Sequence, residues 1–150
     1  MQRKIVPDVV RDQKLTLLPP TATVMDAVRF MALKHVGAVL IGLDGHIEGI
    51  FTERDLLMRV AARGLDADTT PVARVMTRDP ETVGPDQPPL DALNRMDERG
   101  FRHLPVVGDD GRVVGIVSIR DLHSFVRQQL ELELQERDAY IHDTGYGATH

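Results

Sequence analysis

Hydrophobic and polar positions alternate along the chain in a pattern that predicts helices and strands in a fixed order. Between residues 24 and 31 the apolar side chains stand at i, i+3, i+4 and i+7, which is typical of an amphipathic helix, and the spacing returns between 90 and 96. Short runs of β-prone residues precede and follow each helix. They lie at 15–18, 38–41, 47–51, 81–83, 104–107 and 113–117.

The same order of elements occurs twice. Asp26-Ala27-Val28 precedes Asp91-Ala92-Leu93 by 65 residues, and Arg54-Asp55-Leu56 precedes Arg120-Asp121-Leu122 by 66. The change of offset predicts one extra residue in the turn near 108–110. Each copy reads β-α-β-β-α, since a second helix follows the strands at about 54–62 and from about 120 onward. A period of this length indicates a duplicated α/β unit.

Turn-forming residues divide these elements. Asp44-Gly45 and Asp110-Gly111 favour hairpin turns between the paired strands. We expect Gly37 and Gly100 to end the first helix of each copy, and Pro71 to begin a short helical turn.

A single copy would leave one face of its sheet uncovered. The sequence therefore predicts an α/β (α+β) fold in which two repeats pack sheet to sheet about a pseudo-two-fold axis, with helices outside and two equivalent clefts between them. The predicted divisions are 1–65 for the first repeat with its N-terminal segment, 66–74 for a linker, 75–126 for the second repeat, and 127–150 for a C-terminal helical extension and tail.

Composition excludes several classes of function. The 150 residues carry a net charge of −5, which argues against a general nucleic-acid binder. There is no cysteine, so disulfides, thiol nucleophiles and cysteine-bound metals are excluded. No apolar run is long enough for a signal peptide or a membrane span, and we expect a cytoplasmic protein with no membrane partner. The histidines show no ligand spacing, so no metal site is predicted.

A hydroxyl residue followed three positions later by aspartate occurs at corresponding places in both copies, as Thr52-Glu53-Arg54-Asp55 and Ser118-Ile119-Arg120-Asp121. One interpretation is helix capping alone, because Thr23 and Asp26 have the same spacing. The other is a nucleotide site. A helix N-terminus, a hydroxyl and an arginine can bind phosphate, and the carboxylate can accept both hydroxyls of a ribose.

These motifs, with the strands before them, resemble the cystathionine β-synthase (CBS) domain. The second copy carries the resemblance as Arg102-His103-Leu104-Pro105 followed by Gly115 to Leu122, and the first as Gly37 to Ile41 followed by Gly45 to Leu56. The resemblance covers about residues 5–126. It implies a tandem pair, called a Bateman module, that regulates rather than catalyses and pairs into flat dimers.

The resemblance also implies a ligand and its site. Modules of this kind bind AMP, ADP or ATP, and in some cases NAD or S-adenosylmethionine, as regulatory ligands and not as required cofactors. The motif hydroxyl and aspartate contact phosphate and ribose, the strand before the hairpin holds the adenine, and the leading segments (13–15 and 77–80) line the site. The implied nucleotide-binding residues are Gly37, Ala38, Val39, Thr52, Arg54, Asp55, Thr77, Arg102, His103, Leu104, Pro105, Ser118, Arg120 and Asp121.

The two copies differ where the family pattern is usually kept. The first has Leu40 where the second has Pro105, and Glu53 stands opposite Ile119. The clefts could therefore bind different ligands, or one alone could bind. We favour the cleft with Arg102, His103, Ser118, Arg120 and Asp121.

Two other classes remain open at this stage. One is a dimeric interaction scaffold with empty clefts, in which the motif aspartates only cap helices. The other is an enzyme, which ranks last because no nucleophile–base pair, catalytic residue or metal set is recognisable.

The C-terminal extension keeps an apolar stripe from Leu122 to Leu134, which predicts a helix to about Tyr140. This helix either packs on a dimer mate or an unidentified protein partner, or frays in solution. We expect the tail at 144–150 to be disordered.

Overall fold

The computed structural model of the protein describes residues 2–11 and 13–143, and the side chains of residues up to 139. A wide turn at Ile5–Val9 is followed by eleven labelled elements. They are β1 (Leu17–Leu18), α1 (Val24–Lys34), β2 (Ala38–Leu43), β3 (His46–Thr52), α2 (Glu53–Asp55, continued by a wider-wound segment at Leu56–Ala61), α3 (Val72–Val75), β4 (Thr77–Arg78), α4 (Pro89–Arg99), β5 (His103–Val107), β6 (Val113–Ser118) and α5 (Ile119–Asp143).

The predicted β-α-β-β-α repeat is confirmed, and each copy builds its own sheet. The first sheet has the order β1-β2-β3-β4, with β1 parallel to β2 and the other pairs antiparallel. The second is the hairpin of β5 and β6, extended by a parallel bridge from Val83 to Val106. The sheets meet across a small apolar cluster in which Leu40 and Ile50 of the first face Val113 and Ile116 of the second.

The hairpin turns explain the change of repeat offset. The first hairpin closes through Asp44 and Gly45, which both have positive φ (53° and 79°) as a two-residue turn requires. In the second, Gly108 N–H donates to Arg112 O (2.9 Å), and the three residues 109–111 lie between them. The extra residue predicted near 108–110 is therefore confirmed.

The first helix of each repeat ends in a left-handed residue, but only one of these is the predicted glycine. Gly100 ends α4 with φ 78°, as predicted. In α1 that position is His35, with φ 55°, so the prediction for Gly37 is wrong. Histidine is among the residues that enter this conformation more readily than most. Gly37 instead leads into β2.

The segment that precedes each repeat is buried in the core of the other repeat. Val72, Val75 and Met76, which lead into the second repeat, are buried in the core of the first. Ile5 and Val10, which lead into the first repeat, are buried in the core of the second. The sequence groups residues 1–65 as one repeat, yet Ile5 and Val10 from this range belong to the core of the second repeat.

Helix α5 confirms the predicted C-terminal helical extension. Its first turns pack against α4 and the N-terminal turn, and Leu122 is fully buried. From Leu130 onward the described side chains are exposed, with Leu130 at 55% and Leu134 at 59%. The predicted tail at 144–150 lies outside the described residues.

Candidate functional site

A cleft of about 770 Å³ lies between the two repeats, within the range typical of small-molecule sites. Its lining comes from the N-terminal segment, the end of α1, the start of β2, and the β5 and β6–α5 corners. The lining residues are Gln13, Lys14, Leu15, Thr16, Phe30, Lys34, His35, Val36, Gly37, Ala38, Val39, Leu40, Glu53, Arg102, His103, Ile116, Ser118, Ile119, Arg120 and Asp121.

In each repeat a strand is followed directly by a helix, at β3–α2 and at β6–α5, and equivalent backbone hydrogen bonds hold these two corners. Glu53 N–H donates to Gly37 O (3.0 Å), and Ile119 N–H donates to Arg102 O (2.8 Å). Gly37 lies close to the side chains of both Glu53 and His103. A Cβ on it would stand 3.4 Å from Glu53 Cδ and 3.5 Å from His103 Cε1. A methyl group here would therefore fit in ordinary contact and fill part of the space between Glu53 and His103.

Gln13 attaches the N-terminal segment to the edge of β6. Its side-chain amide nitrogen donates to Ile116 O (3.1 Å), and its side-chain oxygen accepts from Ile116 N–H (2.8 Å). In the first repeat the corresponding edge of β3 is paired with the backbone of β4, where Thr77 lies opposite Ile50. One side chain thus takes the place of a strand beside the cleft.

The Ser118–Asp121 motif forms the start of α5. Asp121 N–H donates to Ser118 Oγ (3.1 Å), and Ser118 N–H donates to Asp121 Oδ2 (3.0 Å). The capping interpretation of the motif is therefore correct as far as it goes. It leaves the Ser118 hydroxyl free to donate its proton, and it leaves Asp121 Oδ1 without a hydrogen bond or ion pair among the described residues.

The charge of the cleft suits an anion. Its lining carries the basic side chains of Lys14, Lys34, Arg102 and Arg120 against two carboxylates, those of Glu53 and Asp121. The N-terminus of the long helix α5 adds its own positive dipole end. The excess of positive charge is local, because the chain as a whole is acidic.

Burial lowers the pKa of His103 from its ordinary value of 6.5. The neighbouring carboxylates of Asp121 and Glu53 act in the opposite direction, and the guanidinium of Arg102 adds to the lowering. His103 is therefore neutral at pH 7, when one ring nitrogen can donate and the other accept.

The cleft unites eight of the predicted site residues from both repeats: Gly37, Ala38, Val39, Arg102, His103, Ser118, Arg120 and Asp121. The resemblance groups each motif with the strand of its own repeat. Here the motif of the second repeat shares its cleft with the β2 strand and leading segment of the first.

The other six predicted residues do not line this cleft: Thr52, Arg54, Asp55, Thr77, Leu104 and Pro105. Leu104 and Pro105 are fully buried in β5. Thr52 and Asp55 cap α2 in the same way as Ser118 and Asp121 cap α5. Asp55 is also buried and lies beside Arg59, with Nε to Oδ1 at 3.6 Å.

Several lining residues are absent from the sequence prediction, and Lys34, His35 and Glu53 are the most informative. Lys34 and His35 end α1 immediately before β2, so their proximity to Gly37 is a signal that was available in the sequence. Glu53 lies inside the first motif but reaches the cleft that contains the second. Only the packing of the two repeats reveals that placement.

Neither metal binding nor a membrane span is supported by the described residues. They contain no group of three or more histidine and acidic side chains placed to hold a metal ion. None of the helices in the described part of the chain combines the length and the apolarity needed to cross a membrane.

Comparison with known proteins identifies this architecture. The paired sheets and outer helices are those of solved CBS-domain proteins. The sequence model of the CBS domain matches residues 6–62 and 72–127. The chain belongs to the CBS domain family and carries the domain twice, as a regulatory module. Proteins built in this way are generally regulatory rather than catalytic.

Individual relatives agree with this assignment. A CBS domain-containing protein of Arabidopsis thaliana is 37% identical over 115 residues, which is 77% of this chain and 21% of that protein. A CBS domain protein of Pyrobaculum aerophilum, solved in complex with AMP, is 30% identical with a TM-score of 0.70, over 76% of this chain and 87% of that one.

A hexameric CBS-CP12 protein from bloom-forming cyanobacteria shares the fold, with a TM-score of 0.72 at 22% identity, over 98% of this chain and 92% of that one. The chain spans from 20% to 65% of the length of the first curated relatives that it matches.

Proposed function

We propose that this CBS domain pair binds an adenine nucleotide in the cleft between its repeats and has no catalytic activity. The observation that carries the proposal is the capped Ser118–Asp121 corner, which presents a free hydroxyl, a free carboxylate oxygen and a helix N-terminus to a cationic cleft. The AMP complex of the Pyrobaculum aerophilum protein supports the choice of ligand class.

The cleft offers a partner for each part of such a ligand. Asp121 Oδ1 can accept both hydroxyls of a ribose, while Ser118 Oγ–H and the Arg120 guanidinium can donate to phosphate oxygens. Ala38 and Val39, whose side chains are almost fully buried, can offer the backbone of β2 to the adenine, and His103 provides a neutral ring with a donor and an acceptor. The cleft thus combines apolar strand residues with many polar and charged side chains, as a nucleotide with its apolar base and charged phosphate requires.

Binding is proposed to act by shifting a population of dimer geometries. The ligand would contact both repeats, so it would favour the arrangement in which the two corners are held together. A homodimer accords with exposed apolar side chains on the outer helices, such as Leu33 on α1 and Leu57 and Met58 on the segment that continues α2. The hexameric cyanobacterial relative supports oligomer formation in general. We further propose a cytoplasmic location and an unidentified protein that reads the dimer.

Ligand identity is tested with AMP, ADP, ATP, NAD and S-adenosylmethionine by thermal shift and calorimetry. A ligand that binds only the folded state, present at 100 times its Kd, adds about 2.7 kcal/mol to the free energy of unfolding and raises Tm. Asp121→Asn should weaken the best ligand by about 10- to 100-fold, because a charged acceptor is lost.

Asp109→Asn is the matched control. Asp109 is exposed in the hairpin loop and makes no hydrogen bond or ion pair with the described residues, so its loss should leave affinity unchanged. If no ligand of the panel raises Tm at millimolar concentration, the nucleotide proposal is wrong. The scaffold alternative is then favoured, since helix capping alone accounts for the residues of both motifs.

A further inference from the structure

The two motif carboxylates are equivalent in the repeat but have different second partners. Asp55 Oδ2 accepts from Thr52 N–H at 3.0 Å, and Asp121 Oδ2 accepts from Ser118 N–H at 3.0 Å. The caps are therefore the same. What differs is the second oxygen of each carboxylate, Oδ1, which is the atom left for a ligand.

In the first repeat, Arg59 forms an ion pair with that oxygen. One helical turn after Asp55, its Nε lies 3.6 Å from Asp55 Oδ1, and the Asp55 side chain is only 12% exposed. The guanidinium also donates to two carbonyls of the segment that leads into the second repeat, Val75 O (3.3 Å) and Met76 O (3.1 Å). Arg59 thus joins the motif carboxylate to the segment beside it.

The second repeat has no such cation. The position equivalent to Arg59, 66 residues later, is Phe125, which is half-buried and cannot pair with a carboxylate. Asp121 is exposed, faces the cleft, and has no ion pair among the described residues. The two repeats thus differ at Oδ1 of the motif aspartate, which is paired with Arg59 in the first repeat and has no ion pair among the described residues in the second.

We infer that this protein binds one nucleotide per chain, at the Asp121 corner, and that Arg59 makes the two corners unequal by holding the carboxylate of Asp55. A ribose at Asp55 would compete with the guanidinium, and displacing the guanidinium would leave two backbone carbonyls without their donor. The inference rests on the proposed function for its probe.

The experiment is calorimetric titration with AMP, which measures the number of molecules bound per chain. Wild type should bind one, and Asp121→Asn should bind that molecule about 10- to 100-fold more weakly. Arg59→Phe, which copies the second repeat, should bind two, and Asp55→Asn in that background should return the number to one. Arg59→Gln serves as a second variant that frees Asp55 without adding an apolar side chain.

Arg63→Phe is the control. Arg63 is exposed one turn further along and forms no hydrogen bond or ion pair with the described residues, so one AMP should still bind. A single melting transition checks that each variant is folded.

Failure of the inference and failure of the nucleotide proposal give different results. Two AMP molecules bound to wild type, or an unchanged number in both folded Arg59 variants, would overturn the role of Arg59. No binding to wild type, combined with one Asp55-dependent molecule bound to Arg59→Phe, would overturn the nucleotide proposal and support the role of Arg59. No binding to any variant would overturn both.

Discussion

At the scale of single residues, His103 shows how packing sets chemistry. It lies on β5 between the two corners, where burial lowers its pKa although Asp121 and Glu53 favour the charged form. Burial therefore outweighs two nearby carboxylates. The folded protein prefers the neutral ring, while the unfolded chain protonates it near pH 6.5.

This difference predicts a pH-dependent loss of stability. Between the folded pKa and 6.5 the unfolded state binds more protons, so the free energy of unfolding falls as the pH is lowered through 6.5 toward the folded pKa. Urea midpoints of wild type should fall more steeply between pH 7.5 and 5 than those of His103→Gln. Parallel pH profiles for the two proteins would show that His103 does not titrate differently on folding.

Gly115 on β6 provides a second test at this scale. A Cβ there would stand 2.9 Å from Val10 Cγ1 and 3.0 Å from Gln13 Oε1, both closer than normal contact. Gly115→Ala should therefore lower the free energy of unfolding by about 1–3 kcal/mol, by displacing the N-terminal segment.

Chemical denaturation measures the Gly115 effect, and Gly84→Ala is the control. A Cβ on Gly84 would meet nothing closer than 3.8 Å. If the two alanine variants are equally stable, the N-terminal segment does not pack against β6 as described.

At the scale of elements, α5 divides into two parts with different surroundings. Leu122 in its first turn is fully buried, whereas Leu130, Leu132 and Leu134 are between 47% and 59% exposed. Helical stability in proteins comes mostly from tertiary packing, so the second part lacks this support within the chain.

Hydrogen exchange should therefore separate the two parts of α5. We expect slow exchange at the amides of 122–126 and exchange close to the unprotected rate at 130–139, because local opening there breaks few contacts. Strong protection at 130–139 at high protein concentration, lost on dilution, would instead show that a second chain covers the helix. The measurement thus decides between the two alternatives that the sequence leaves open.

The elements themselves were largely predictable from sequence, and the reasons are local. Hydrophobic spacing, Asp-Gly turns and the hydroxyl–aspartate caps all act within a few residues, so they are visible in the chain. The end of α1 was mispredicted because His35 takes the left-handed conformation that the sequence assigned to Gly37. The choice between two residues that can both end a helix depends on the packing that follows.

The candidate site was predictable only in part, because it is assembled across the repeats. Ser118 and Asp121 were recognisable as a motif, but the presence of Glu53 and Lys34 in the same cleft depends on how the sheets meet. The difference between the corners could have been found in the sequence. Arg59 stands four residues after Asp55, the spacing of an intrahelical ion pair, whereas the equivalent position of the second repeat is Phe125.

At the scale of the whole molecule, the exchanged segments at 5–10 and 72–76 make the stability of each repeat depend on the other. Val72, Val75 and Met76 complete the first core, and Ile5 and Val10 complete the second. Each of these side chains is at most 4% exposed, and burial of an aliphatic side chain stabilises by about 1.5–3 kcal/mol. Each core therefore includes residues that precede the other repeat in sequence.

A fragment of residues 66–150 should therefore be unfolded, although it contains every strand and helix of the second repeat. It lacks Ile5 and Val10, whose burial is comparable with the total stability of a small domain. Circular dichroism of the fragment should show little structure, while the intact chain should melt in one transition. A cooperatively folded fragment would show that the leading segment is dispensable.

Helix α5 also has a mechanical consequence. It begins at the cleft corner and continues without interruption from Ile119 to Asp143, and 25 residues at 1.5 Å each make a rod of about 37 Å. A tilt of about 10° at the corner would move the far end by about 6 Å, which is more than one helical turn. Where a second chain covers residues 130–139 and holds the helix rigid, a small adjustment at Ser118 would thus become a displacement of that chain.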